Sequence, residues 1–137
     1  MEALILKIFG SGWAKFKIEG YEKSVSYLTD IPIEILENIL IAKEHKVDFT
    51  YNFETEGKGD FKVISDDSRT YIIEEGYPQC QLDTFDIAFE ELSKGIIESI
   101  KADIKGWSSW DGMDGDDFAK RERQILDLIE QIERKAL

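Results

Sequence analysis

The residues of this chain best equipped for chemistry lie in one stretch, Trp107-Ser108-Ser109-Trp110-Asp111-Gly112-Met113-Asp114-Gly115-Asp116-Asp117. Two indoles stand beside four aspartates in a run broken by two glycines. Carboxylates at this density can hold a divalent cation, cap a helix or meet a cationic surface. Calcium in an EF-hand loop needs oxygen ligands at the first, third and fifth positions and glycine at the sixth. Counting from Asp111 puts Met113 third and Asp116 sixth, and counting from Asp114 puts Phe118 fifth and Ala119 sixth. Neither register works, which leaves at most a weak, adventitious divalent site. Two readings stay open. The aspartates can be a helix connector that caps the next helix and complements its positive end. They can also be the charged rim of a partner-binding surface whose aromatic anchor is an indole. On the second reading the contact residues are Trp110, Asp111, Asp114, Asp116 and Asp117.

The other candidates for catalysis are sparse. His45 is the one histidine, set among Lys43, Glu44 and Lys46, and reads as a surface residue. Zinc takes three or four Cys, His or carboxylate ligands, and one His with one Cys makes such a site improbable. Cys80 follows Pro78 and Gln79 with no nearby Cys or His, which reads as a buried or inert thiol without a base to activate it. Glu74-Glu75 and Glu90-Glu91 are adjacent pairs, but neighbouring residues on a strand or helix point apart. Adjacency therefore does not make the acid and base of a glycosidase. Gly10 and Gly12 suggest a turn and no phosphate cradle, because no helix start follows them. The expectation is a protein that is not an enzyme and has no cofactor and no metal.

Composition limits the partners. The chain has 137 residues and a net charge of −12, from 29 acidic and 17 basic side chains. It is 42% hydrophobic, enough to bury a core, and residues 1–137 are expected to form a single domain. This surplus of negative charge repels phosphate backbones, so nucleic acid is an unlikely target. Charge of this sign also serves solubility. A lone cysteine fits a reducing compartment. The N-terminal Met1-Glu2-Ala3-Leu4-Ile5-Leu6-Lys7-Ile8-Phe9 lacks a basic leader segment, and no run approaches the roughly 18 apolar residues of a membrane span. A cytoplasmic location is expected, with no membrane partner. Oligomeric state is not legible.

The elements that must position these residues follow from periodicity. Leu4 to Phe9 and Trp13 to Ile18 alternate as strands around the turn Gly10-Ser11-Gly12, and Val25 to Leu28 reads as a third, short strand. Thr29 or Asp30 caps a helix with Pro32 in its first turn and Ile35, Ile39 and Ala42 along one face, ending near Lys43–Lys46. Val47, Phe49, Tyr51 and Phe53 alternate with polar residues in the clearest strand of the chain. Phe61 to Ser65 and Thr70 to Glu74 continue the meander. Glu75 to Gln81 reads as a loop. Asp83 then caps a long helix with the stripe Phe85, Phe89, Leu92, Ile96, Ile100 and Ile104, which Gly106 stops. A last helix, capped by Asp116 or Asp117, carries Phe118, Ile125, Leu128, Ile129 and Ile132.

The order β-β-β-α-β-β-β-α-α predicts an α+β fold: one antiparallel sheet of five to six strands with three helices packed mainly on one face. Phe49, Phe89, Leu92, Ile96, Ile125 and Ile129 should be buried. Trp107 continues the long stripe and should join them, whereas Trp110 is the better candidate for exposure. Trp13 either packs under a helix or marks an exposed patch.

The segments Gly10-Ser11-Gly12-Trp13-Ala14 and Val25-Ser26-Tyr27-Leu28-Thr29-Asp30, leading into an apolar helix and then alternating aromatic strands, carry a resemblance. Over about the first two-thirds of its length the chain resembles small, uncharacterised bacterial cytoplasmic proteins that look like immunity proteins of contact-dependent or polymorphic toxin systems. The resemblance implies a non-enzymatic protein that binds and neutralises a cognate toxin domain. It assigns no functional residue. The acidity agrees in sign, since an acidic chain is steered to a basic toxin domain and can occlude its substrate cleft. The alternatives are a small-ligand or metal-binding module, which needs a concave apolar pocket with convergent polar groups, and an enzyme of unfamiliar type.

Overall fold

The computed structural model describes residues 5–10, 13–26, 30–54, 60–75, 80–110 and 116–135, with only the backbone at 116 and 117. The chain is α+β. Among the described residues it forms two antiparallel sheets and four helices, where one sheet and three helices were expected. The first sheet has the order β1-β2-β3, from Leu6–Gly10, Trp13–Ile18 and Tyr21–Ser26. The second has the order β4-β5-β6-β7, from Phe49–Phe53, Phe61–Ser65, Thr70–Glu74 and Gln81–Phe85. Helix α1, Ile31–His45, separates them in sequence, and β3 does not pair with β4. Period-two patterning tells which face of a strand is apolar. It does not tell which strand hydrogen-bonds to which, and that is why the strands read as one sheet of five to six.

The two sheets meet through aromatic side chains. Phe16 on β2 lies 5.0 Å from Phe53 on β4 and 5.8 Å from Phe61 on β5, and Phe53 and Phe61 stack at 4.7 Å across adjacent strands. Each of these side chains is at most 1% exposed. Such pairs contribute about 0.5–1.5 kcal/mol beyond the area they bury. The alternation of Val47 to Phe53 is realised from Phe49 onward, with Phe49, Tyr51 and Phe53 inward, while Val47 precedes the strand and is exposed.

Strand β7 corrects the reading of Asp83 and Phe85 as the opening of a helix. Gln81–Phe85 pairs in register with β6, Ile72 facing Asp83 and Thr70 facing Phe85. Its inward and outward residues show no apolar alternation, so the sequence carries no strand signal there. The following helix α2, Phe89–Ala102, begins without a side-chain cap. The Phe89 N–H instead donates to the Asp66 carbonyl at 2.8 Å, and Thr70 Oγ1 donates to the Ile87 carbonyl at 2.8 Å. The β5–β6 turn thus starts this helix from a distance, a partner no local cap motif reveals.

Helix α2 then ends at Ala102, and Asp103 starts a separate short helix α3, Ile104–Ser108, by accepting a hydrogen bond from the Gly106 N–H at 3.2 Å. Gly106 lies inside that helix and is not its stop. A Cβ there would come within 2.5 Å of the Asp103 carboxylate, so glycine permits the cap's close approach. The last helix, α4, spans Asp116–Lys135. Its expected stripe Ile125, Leu128, Ile129 and Ile132 is buried, as are Phe89, Leu92, Ile96 and Ile100 of α2, while Phe118 is half-buried. Helix α1 packs against both α4 and β4. No helix among the described residues is long and apolar enough to cross a membrane.

Phe53 joins the sheets by touching Phe16, Tyr51 and Phe61 at once. Phe53→Ala should therefore lower stability by about 3–5 kcal/mol. Denaturant titration checks this, and a loss under about 1 kcal/mol would mean the sheets hold together without that ring.

Candidate functional site

The indole chosen as an exposed anchor is internal. Trp110 is 4% exposed, and its ring centroid lies 5.0 Å from that of the fully buried Trp107. The reason is the turn at the end of α3, where the Ser109 N–H donates to the Lys105 carbonyl and the Trp110 N–H to the Trp107 carbonyl. The chain folds back, and Trp110 closes over Trp107. Trp107 itself behaves as the stripe spacing predicts, although its buried Nε1 donor has no acceptor among the described residues. Asp111 and Asp114 lie outside the described residues. Asp116 and Asp117 form the first turn of α4, where negative charge complements the helix dipole.

Both ends of the acidic segment are thus tied down, and Arg121 does most of the tying. Its Nε donates to the Ser108 carbonyl at 3.0 Å, and its two terminal nitrogens donate to the two carboxylate oxygens of Asp30 at 3.1 and 2.8 Å. This fork-to-fork pairing suits guanidinium and no other side chain. Arg121 joins the end of α3, the first turns of α4 and the start of α1. Thr29 or Asp30 was expected to cap α1, and Thr29 lies outside the described residues. Asp30 stands at the N-cap position but makes no side-chain cap bond, because its carboxylate is turned to Arg121. Sequence reasoning missed Arg121. The signal was present: it sits four residues before Ile125 and three after Phe118, a base at a stripe position.

Next to this clamp, Tyr51 donates its hydroxyl to Glu34 at 3.4 Å. Burial, then the charge of Asp30, raises the Glu34 carboxyl above the ordinary glutamate range. Burial and then the Glu34 charge hold the Tyr51 phenol well above its usual value. A second charged cluster lies between the sheets. Lys23 on β3 bonds to Glu74 on β6 at 2.6 Å, beside Tyr21, whose phenol is raised by burial and then by the carboxylates of Glu74 and Asp83. Neither cluster was legible in the sequence, since each joins elements far apart in the chain.

His45 is exposed at the end of α1. Cys80 is exposed too, which corrects the buried half of its reading. Trp13 is half-buried. Among the described residues no group of three or more His, Cys, Asp or Glu could hold a metal ion. A groove of about 650 Å³ runs beside α2, floored by Ile97 and Ile132 and bordered by Lys43, Glu90, Lys101 and Glu133. Its volume suits a small molecule. Four of its polar groups pair with one another: Lys43 reaches Glu90 at 3.2 Å, and Lys101 reaches Glu133 at 2.8 Å. These four are spent on each other and not on a guest.

No protein-family model matches the chain, and neither a curated protein nor a solved structure matches it.

Two outcomes follow. Trp110→Ala should cost about 3–5 kcal/mol in denaturant titration, as loss of a packed aromatic does; a loss under about 1 kcal/mol would return this indole to the surface. Glu34 binds its proton more tightly in the folded chain than in the unfolded one, so its ionisation opposes folding. Its contribution falls as pH rises from the ordinary glutamate value, about 4.3, through the raised one. Glu34→Gln should therefore be the more stable protein at neutral pH, with the gap closing in acid. Melting curves across that range check it, and a gap that widens in acid would reverse the sign.

Proposed function

We propose that this chain is a non-enzymatic, immunity-type protein that binds a cognate basic toxin domain in the cytoplasm and neutralises it. The observation that carries the reading is the net charge of −12. Even with every base paired to a carboxylate, that surplus would remain for solvent or a cationic partner to meet. Many of the bases are already engaged internally. Lys23, Lys43, Arg69, Lys101, Lys105 and Arg121 each lie within ion-pair distance of a carboxylate of the same chain. The acidic field steers a cationic domain to the surface and rejects polyanions, including the nucleic acid such a domain would attack.

The segment carrying Asp111, Asp114, Asp116 and Asp117 is the proposed docking element. Trp110 enters with a changed role: it holds the base of the segment in place from inside and is not a side chain lent to the partner. A docking element on a fixed base loses less freedom on binding than one on a mobile base.

The test pairs the purified chain with the basic C-terminal domain of a toxin encoded beside it, reading growth protection and association rates against salt. Protection is expected, with association slowing as salt shortens the Debye length below about 10 Å. Asp111→Asn with Asp114→Asn should slow association further and leave dissociation nearly unchanged. Absence of protection, or a rate indifferent to salt, would overturn the reading. Unchanged rates in the double variant would move the docking site off this segment.

A further inference from the structure

The sheet edges of this protein are treated unequally. At the β4 edge, α1 lies alongside and the Asn38 side chain donates to the Thr50 carbonyl at 3.0 Å. At the β1 edge, Ser99 of α2 accepts from the N–H groups of Ile5 and Leu6 at 2.9 and 3.2 Å. Strand β7 is the last strand of its sheet and pairs with β6 alone. Among the described residues, no backbone hydrogen bond other than those to β6 reaches Gln81–Phe85.

The register says which groups this edge presents. The Glu75 N–H donates to the Asp60 carbonyl, and the Asp66 N–H donates to the Arg69 carbonyl, so residues 69, 71, 73 and 75 turn their backbone groups toward β5. Thr70, Ile72 and Glu74 then turn theirs toward Phe85, Asp83 and Gln81 of β7. The N–H and C=O groups of Leu82 and Thr84 are left pointing outward. The same phase puts the Thr50 carbonyl at the opposite edge, where Asn38 meets it. Natural sheets blunt an open edge with lysine, proline, a bulge or an inward-pointing charge. Strand β7 has neither lysine nor proline and pairs without a register shift. Its inward-facing charge is Asp83, opposite Ile72, and its outward-facing Leu82 is 61% exposed.

The stretch of chain that forms this edge carries charge of one sign. Between Arg69 and Lys94 the chain holds Glu74, Glu75, Asp83, Asp86, Glu90 and Glu91 and no base. Lys23, Arg69 and Lys43 reach Glu74, Asp86 and Glu90 from elsewhere, which leaves Glu75, Asp83 and Glu91 without an ion pair among the described residues. An added strand places alternate side chains beside Asp83 on one face and beside Leu82 and Thr84 on the other. Basic residues complement the first face and apolar ones the second.

We propose that β7 is a strand-addition site for an extended segment of a protein partner in which basic and apolar residues alternate. Main-chain bonds to Leu82 and Thr84 supply the attachment, and Asp83 with its acidic neighbours supplies the selection. The proposal extends the toxin-binding reading with a mode of attachment and rests on that reading only for the partner's charge.

The test uses the full chain and a labelled, end-blocked peptide alternating lysine and valine, about as long as an ordinary strand. Fluorescence anisotropy should show binding, and amide exchange at Leu82 and Thr84 should slow on saturation. Thr84→Pro removes an outward N–H that the β6 ladder does not use, so it should keep the wild-type melting temperature and weaken the peptide by at least about tenfold. Thr84→Ala keeps the N–H and should bind like the wild type. A glutamate–valine peptide should not bind. Equal binding of the two peptides, unaltered exchange at Leu82 and Thr84, or full binding by Thr84→Pro would overturn the proposal. So would a wild-type dimer that Thr84→Pro dissolves, which would assign the edge to a second copy of this chain. The peptide assay contains no toxin, so its failure leaves growth protection standing, and failed protection leaves the edge site standing.

Discussion

Everything else in this protein depends on the aromatic contact between its two sheets. A three-stranded and a four-stranded sheet each have one apolar face, which must be buried against another element. Phe16, Phe53 and Phe61 turn the two apolar faces into one core. Once the faces are joined, the helices have fixed surfaces to cover. Phe89 of α2 stacks on Phe49 of β4 at 5.7 Å, and α1 closes the β4 edge. The β5–β6 turn supplies the carbonyl on which α2 begins. The strand pairing therefore decides where α2 starts, and α2 in turn caps β1 through Ser99.

Arg121 plays a different part. A buried guanidinium is costly unless it is fully bonded. Here three of its nitrogens donate to Asp30 and Ser108. Its position is thereby set to within hydrogen-bond geometry, and with it the relation of α3, α4 and α1. The acidic segment leaves from this clamp and from the Trp107–Trp110 contact.

The proposed reading rests on charge and on an open sheet edge together. The lysines and arginines serve largely to join its own elements, as Lys23 joins β3 to β6 and Lys101 joins α2 to α4. The carboxylates outnumber them by twelve. Two regions concentrate that excess: the start of α4 with the segment before it, and the run from β6 to the first turn of α2. In the second, the backbone groups of Leu82 and Thr84 point away from β6 and have no backbone partner among the described residues.

The sequence by itself determined what depends on local period and composition. The alternation around Phe49–Phe53, the burial of Phe89, Leu92, Ile96, Ile125 and Ile129, the internal place of Trp107 and the negative field were all legible in it. A repeat of two or of 3.6 fixes which face of an element is apolar, whatever covers that face. Tertiary structure decided what depends on partners distant in the chain. It divided the strands between two sheets, made a strand of Gln81–Phe85, started α2 from the Asp66 carbonyl and turned Asp30 from helix cap to ion-pair partner. It also buried Trp110, because the turn after α3 brings its indole against Trp107. Each of these rests on a contact whose energy depends on where another element lies, and no pattern within a single segment carries that information.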